Sequence, residues 1–180
     1  MQAIQSKYHT IRGTKVHYLE SGTTENKPTY VVVHGLFGEA RALEPFIQSL
    51  GCCRVIAIDL PGQGDSSPMR TTHTLKHFAW VISEVIEKLS LRDVVLVGHS
   101  YGAIVALTAA TQHPQHISRL VMLNPYPQYT LNIATTFYQV TFEIGKRLPG
   151  GLKQKMFHSR RLSHMSGRLV LHTQDQALRR

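Results

Sequence analysis

Glycine stands two residues to either side of one serine in Gly98-His99-Ser100-Tyr101-Gly102, and this pentapeptide constrains the fold more than any other stretch of the chain. It follows Asp93-Val94-Val95-Leu96-Val97, a short run with the β-branched character of a buried strand. It precedes Ala103 to Ala110, which reads as a helix. A Gly-x-Ser-x-Gly between a strand and a helix is a turn too tight for side chains at its flanks. Such a turn holds the serine hydroxyl up at the carboxyl edge of a sheet.

The rest of the chain up to Pro127 alternates strands and helices around that turn. Tyr8 to Gly22 alternates polar and apolar residues about Arg12-Gly13, the pattern of a hairpin. Tyr30 to His34 and Arg54 to Ile58 are short runs expected for interior strands. Glu39 to Leu50 reads as a helix, with Pro45 delaying its start to near Glu44. Thr74 is placed to cap a long helix whose stripe is Leu75, Phe78, Ala79, Ile82, Ile86 and Leu89. Ile117 to Leu123 predicts one more strand. This order implies an α/β fold: a mostly parallel sheet with helices on both faces. Beyond Pro127 the pattern changes to a helical stripe, Ile133, Phe137, Val140, Ile144 and Leu148, and then to basic sequence. The expected organisation is therefore a core over residues 1–127 and a second, helical segment over residues 128–180.

A serine hydroxyl becomes a nucleophile only with a base in hydrogen-bond reach, a third group orienting that base, and donors for the developing oxyanion. The turn supplies one donor, the backbone N–H of Tyr101. A second is expected from the loop His34-Gly35-Leu36-Phe37-Gly38, where the N–H of Leu36 is the candidate. Glycine in that loop lets backbone approach a substrate closely. A third segment, Asp59-Leu60-Pro61-Gly62-Gln63-Gly64-Asp65-Ser66, belongs to the same sheet edge.

These three segments, in this order and spacing, resemble the α/β-hydrolase fold family, and more narrowly its cofactor-free serine hydrolases with a cap. The resemblance covers about residues 15–127. It implies Ser100 as nucleophile, with Leu36 and Tyr101 giving the oxyanion hole. It implies loop-shaping roles for His34, Gly35, Asp59, Gly62, Gly64, Asp65, Gly98, His99 and Gly102. It also implies a small-molecule ester or related acyl substrate, no cofactor and no metal. The segment after Pro127 would begin the cap, with the apolar helix from Ile133 to Leu148 roofing the pocket.

In the family the acid and histidine follow the nucleophile, in that order. Here His172 precedes Asp175, His158 and His164 read as solvated, and the position after the last core strand holds Asn124. The expectation is an incomplete hydrolase, its C-terminal strands missing and its triad acid and histidine not found in the chain. The alternative is a truncated, non-catalytic scaffold.

Composition narrows the partners. Residues 1–145 carry 11 Lys+Arg against 10 Asp+Glu, whereas residues 146–180 carry 9 against the single Asp175. The net charge of +9 thus belongs to the tail, which offers contact with an anionic surface. It lacks the interleaved aromatics and motifs of a nucleic-acid binder, so no nucleic acid is expected. No run reaches the roughly 18 apolar residues of a membrane span. The adjacent Cys52 and Cys53 are a poor disulfide pair, and the N-terminus lacks the pattern of a signal peptide. A cytoplasmic setting follows as the expectation. The oligomeric state is not legible.

Overall fold

The structure, a computed structural model, describes residues 3–23, 28–51 and 53–125. The chain divides into two units, Met1–Tyr126 and Pro127–Arg180, and all described residues lie in the first. The expected cap with its roofing helix, the basic tail with its histidines, and Cys52 lie outside the described residues.

The described residues form a six-stranded sheet: β1 (Gln5–Ile11), β2 (Thr14–Ser21), β3 (Thr29–Val33), β4 (Val55–Ile58), β5 (Val94–His99) and β6 (Ile117–Leu123). Their spatial order is β1-β2-β4-β3-β5-β6. The β1–β2 hairpin is antiparallel, and β2 joins β4 antiparallel through Tyr18 to Ser21. From β4 through β3 and β5 to β6 every pairing is parallel. This is the α/β architecture expected from the strand–helix alternation.

The hairpin turns where it does because Arg12 and Gly13 both adopt positive φ, 42° and 82°. Their left-handed backbone matches the twist of the two strands. The interior strands are apolar at consecutive positions because both faces are covered. Val31, Val33, Ile56, Ile58, Val94 and Leu96 face one core, packed with α2 (Leu75–Lys88) and α3 (Tyr101–Gln112). Val32, Val55, Ala57, Val95 and Val97 face the other, with Ala40 and Ile47. Each such valine, leucine or isoleucine side chain contributes about 1.5–3 kcal/mol on burial.

The helices start where their caps allow. The Thr74 hydroxyl accepts from His77 N–H at 3.2 Å and opens α2. α2 buries a wider face than the expected stripe, adding Val81, Ser83 and Val85, because β-sheet and α3 enclose it. The stretch from Glu39 is not one helix. A 3-10 turn, Ala40–Leu43, precedes the short helix α1 (Glu44–Ser49), with Pro45 in its first turn. Proline has no N–H to donate, so the α-helix can begin there but not run through it.

β6 differs from its neighbours. Strand β5 is buried along Val94 to Gly98, whereas Val121, Met122 and Leu123 are all exposed. The sheet ends at β6 among the described residues, with apolar side chains turned to solvent.

Candidate active site

Ser100 sits between β5 and α3 with φ 53° and ψ −117°, a conformation that L side chains adopt only under constraint. Holding a residue there costs about 1–3 kcal/mol, which the surroundings must offset. They do so at three points. The N–H of Ser100 donates to the Leu123 carbonyl at 2.9 Å, tying the turn to β6. The Ser100 carbonyl accepts from Ala103 N–H at 3.0 Å, opening α3. Gly98 and Gly102 allow the contact itself: a Cβ on Gly98 would collide with the Gly102 carbonyl, and one on Gly102 with the His34 and Val33 carbonyls. The helix therefore packs directly on the end of β3, and the serine side chain is left partly exposed above it.

The loop after β3 lies beside this turn. A Cβ on Gly35 would come within 3.3 Å of the Ser100 Cβ and of the His99 ring. Leu36, the expected second donor, is exposed next to it. Phe37 adopts φ 59°, and its N–H donates to the Gln63 side-chain carbonyl at 2.8 Å. Gly38 N–H closes the turn onto the Gly35 carbonyl at 2.9 Å. Tyr101 follows the serine at the first position of α3, and its ring meets Phe78 edge-on at 6.2 Å. Burial pushes its phenol pKa up, so the hydroxyl stays protonated.

His34 clamps two loops together. Its Nδ1 donates to the Gly35 carbonyl at 2.7 Å, and its Nε2 accepts the Leu60 N–H at 3.0 Å. An N–H donor must meet a lone pair, so this bond assigns the neutral, Nδ1-protonated tautomer. Burial lowers its pKa, against the opposing pull of the Gly35 carbonyl and Asp59. With both nitrogens engaged, His34 has no free lone pair for the Ser100 proton. His99 ends β5 with its side chain exposed. Among the described residues, none hydrogen-bonds the Ser100 hydroxyl.

The third loop is organised by Asp59, which is 1% exposed. One carboxylate oxygen accepts Ala40 N–H at 2.5 Å, and the other accepts His17 Nδ1 at 2.7 Å and Asp65 N–H at 2.9 Å. Gly64 passes so close to this carboxylate that a Cβ would overlap it. Gly62 turns the loop at φ 79° against the His73 ring. The Asp65 side chain points outward to Arg41 at 3.5 Å, both half-exposed, so only its backbone serves the loop.

Two participants in this network went unread in the sequence. Gln63 pins the Leu36-Phe37 loop, and its buried amide nitrogen has no hydrogen-bond partner among the described residues. His17 lies fully buried on β2 of the hairpin and holds Asp59. The Gly-Gln-Gly spacing marks a turn but not the side chain's target. His17 interrupts an apolar strand, the one local signal that its ring has a polar partner.

Comparison with known proteins follows the same residues. The family model for the alpha/beta hydrolase fold matches residues 28–146. An uncharacterised hydrolase of Bacillus subtilis, YugF, is 35% identical over 116 residues, covering 63% of this chain and 42% of its own length. The (E)-2-((N-methylformamido)methylene)succinate hydrolase of Acinetobacter baylyi is 34% identical over 110 residues, 60% of this chain and 40% of its own. The crystal structure of E-2-(acetamidomethylene)succinate hydrolase superposes with a TM-score of 0.70 at 25% identity, covering 79% of this chain and 52% of that one. The chain thus spans about two fifths of the length of these curated relatives.

Proposed function

The chain belongs to the alpha/beta-hydrolase fold family, and from that premise we propose that it carries the nucleophile half of a serine hydrolase acting on a small carboxylic ester or related acyl compound. Ser100 is the nucleophile. The backbone N–H groups of Leu36 and Tyr101 receive the oxyanion. The observation that carries this reading is the Ser100 backbone at φ 53° and ψ −117°. A residue held in a costly conformation, with glycines cleared on both sides, supports a role for its side chain.

The chemistry would be acyl transfer. The Ser100 oxygen attacks the carbonyl carbon, and charge develops on the carbonyl oxygen between the two N–H donors. Donors already in place at that point need no reorganisation, which is where such sites gain most of their rate. The succinate hydrolases among the relatives are named for substrates bearing an N-acyl group. Cleavage at an acyl carbonyl is consistent with the same geometry here. The relatives also include a mouse epoxide hydrolase, 26% identical over 148 residues. Serine at the turn favours acyl transfer over epoxide opening, where the family's turn residue is typically aspartate.

The whole hydrolase would take its acid and its histidine from outside the described residues. Steady-state hydrolysis of p-nitrophenyl esters tests the reading through its dependence on Ser100 more than through its rate. The 180-residue chain alone is expected to turn over slowly. In a form that turns over, Ser100→Ala should lower kcat/KM by about a thousandfold or more. Turnover indifferent to that change would overturn the proposal.

That no described residue bonds the Ser100 hydroxyl favours a second reading, a non-catalytic scaffold that keeps the pocket edge. It predicts ester or acid binding, seen by calorimetry, without Ser100-dependent turnover in any form of the protein.

A further inference from the structure

A complete serine–histidine–aspartate hydrogen-bond chain exists in this molecule, and it is not at the turn. The Ser6 hydroxyl lies 2.8 Å from His17 Nε2, and His17 Nδ1 lies 2.7 Å from Asp59 Oδ2. Asp59 directly follows β4, His17 is on β2, and Ser6 is on β1, the outer strand of the sheet. Ser6 is exposed, His17 is fully buried and Asp59 nearly so.

The protons are assigned by elimination. A carboxylate only accepts, so His17 Nδ1 carries a hydrogen toward Asp59. In the neutral ring Nε2 is then a lone pair, and the Ser6 hydroxyl donates to it. The backbone around the ring is tied to the same loop. The His17 N–H donates to the Ser66 hydroxyl at 2.8 Å, which in turn donates to the Asp59 carbonyl at 2.8 Å. The Tyr8 ring packs on the imidazole at 5.0 Å between centroids. Two of the requirements of a nucleophilic serine are thus met here, a base on the hydroxyl and an acid holding that base, both in a rigid setting.

We propose that Ser6 is a second reactive serine, one that accepts acyl or phosphonyl groups from small activated donors such as aryl esters and fluorophosphonates. The Ser6 oxygen attacks the electrophilic carbon or phosphorus while its proton passes to His17 Nε2. The bond to the leaving group breaks, and the phenolate or fluoride departs with its electron pair. His17 then gives up the proton, to the phenolate or to water, and returns to neutral. Asp59 keeps its charge throughout and steadies the imidazolium between the two transfers. The product is a serine ester or phosphonate on β1.

This site is separate from Ser100. Three strands, β2, β4 and β3, lie between β1 and β5. At about 4.8 Å per strand the two serines stand roughly 19 Å apart across the sheet. The Ser6 reactivity therefore does not rest on the hydrolase reading.

Labelling with a fluorophosphonate, followed by peptide mapping, tests it. Trypsin places Ser6 on residues 1–7 and Ser100 on residues 93–119, and fragmentation separates Ser6 from the terminal amine and Lys7. The adduct is expected on Ser6 in the parent chain and in Ser100→Ala, and absent in Ser6→Ala. His17→Gln keeps a hydrogen-bonding amide but accepts no proton, so it should slow Ser6 labelling at least about tenfold. Should that variant not fold, the parent chain in urea serves instead, and labelling should again drop at least about tenfold. An adduct confined to Ser100, no adduct at Ser6, or equal Ser6 labelling in folded and urea-unfolded chain would overturn the proposal.

Discussion

Ser100 and Ser6 each hold half of what a nucleophilic serine requires. Ser100 has presentation: a constrained backbone at the carboxyl edge of the sheet, the start of a helix behind it, and the loop of Gly35 alongside. Nothing described takes its proton. Ser6 has the proton path, through His17 to Asp59, but lies mid-strand in ordinary extended backbone. The difference shows that these two requirements are met by different physics. Presentation comes from local chain geometry, whereas proton transfer comes from side chains brought together over 42 residues of sequence, from His17 to Asp59. A polypeptide can satisfy one without the other.

Asp59 is where the two regions meet, and its removal should have the largest effect. Asp59→Ala leaves His17 Nδ1, Ala40 N–H and Asp65 N–H without their acceptor. A loss of about 3–5 kcal/mol is expected in urea denaturation, with Ser6 labelling lost as well. A loss under about 1 kcal/mol would mean the carboxylate binds these groups weakly. Next comes Gly98→Ala, which forces a methyl into the Gly102 carbonyl. It should cost about 2–3 kcal/mol and act on the Ser100 side alone. Unchanged stability in thermal melts would show that α3 is free to shift.

Acid should weaken the Ser100 side through His34. Burial depresses its folded pKa below the 6.5 of a free histidine. The unfolded chain therefore binds a proton first as pH falls. His34's share of stability is complete above about pH 6.5 and is lost progressively below it. His34→Gln should flatten that decline in a pH series of denaturation midpoints, and an unchanged slope would assign the decline to other groups. The two smallest effects oppose each other in sign. Ser100→Gly removes the cost of a side chain at positive φ and should stabilise by about 1 kcal/mol. Ser6→Ala removes one partly exposed hydrogen bond and should destabilise by about 0.5–1 kcal/mol. Equal and opposite melting shifts would place the strain at Ser100 and not at Ser6; two losses would break the contrast.

Much of this fold is legible along the chain because its signals are local. The apolar runs Val31-Val32-Val33 and Val94 to Val97 declare two-sided burial, and Thr74 declares a helix start. The turn at Ser100 is legible for the same reason, since Gly98 and Gly102 lie within two residues of it. The hydrogen-bond network beneath the loops is not. His17 reads as a polar interruption in a hairpin, and Gln63 as a turn residue. Their partners, Asp59 and Phe37, are 42 and 26 positions away.

The sequence by itself determined the strand–helix alternation, the family, and the serine at the tight turn, because periodicity and glycine spacing act over a few residues. Only the tertiary structure decided which histidine serves which group. It engaged both nitrogens of His34 within the loops and, among the described residues, left the Ser100 hydroxyl unbonded. It set His17 between Ser6 and Asp59 by pairing β1 with β2 and β2 with β4. A base acts only at hydrogen-bond distance, and that distance is set by the register of strands far apart in the chain.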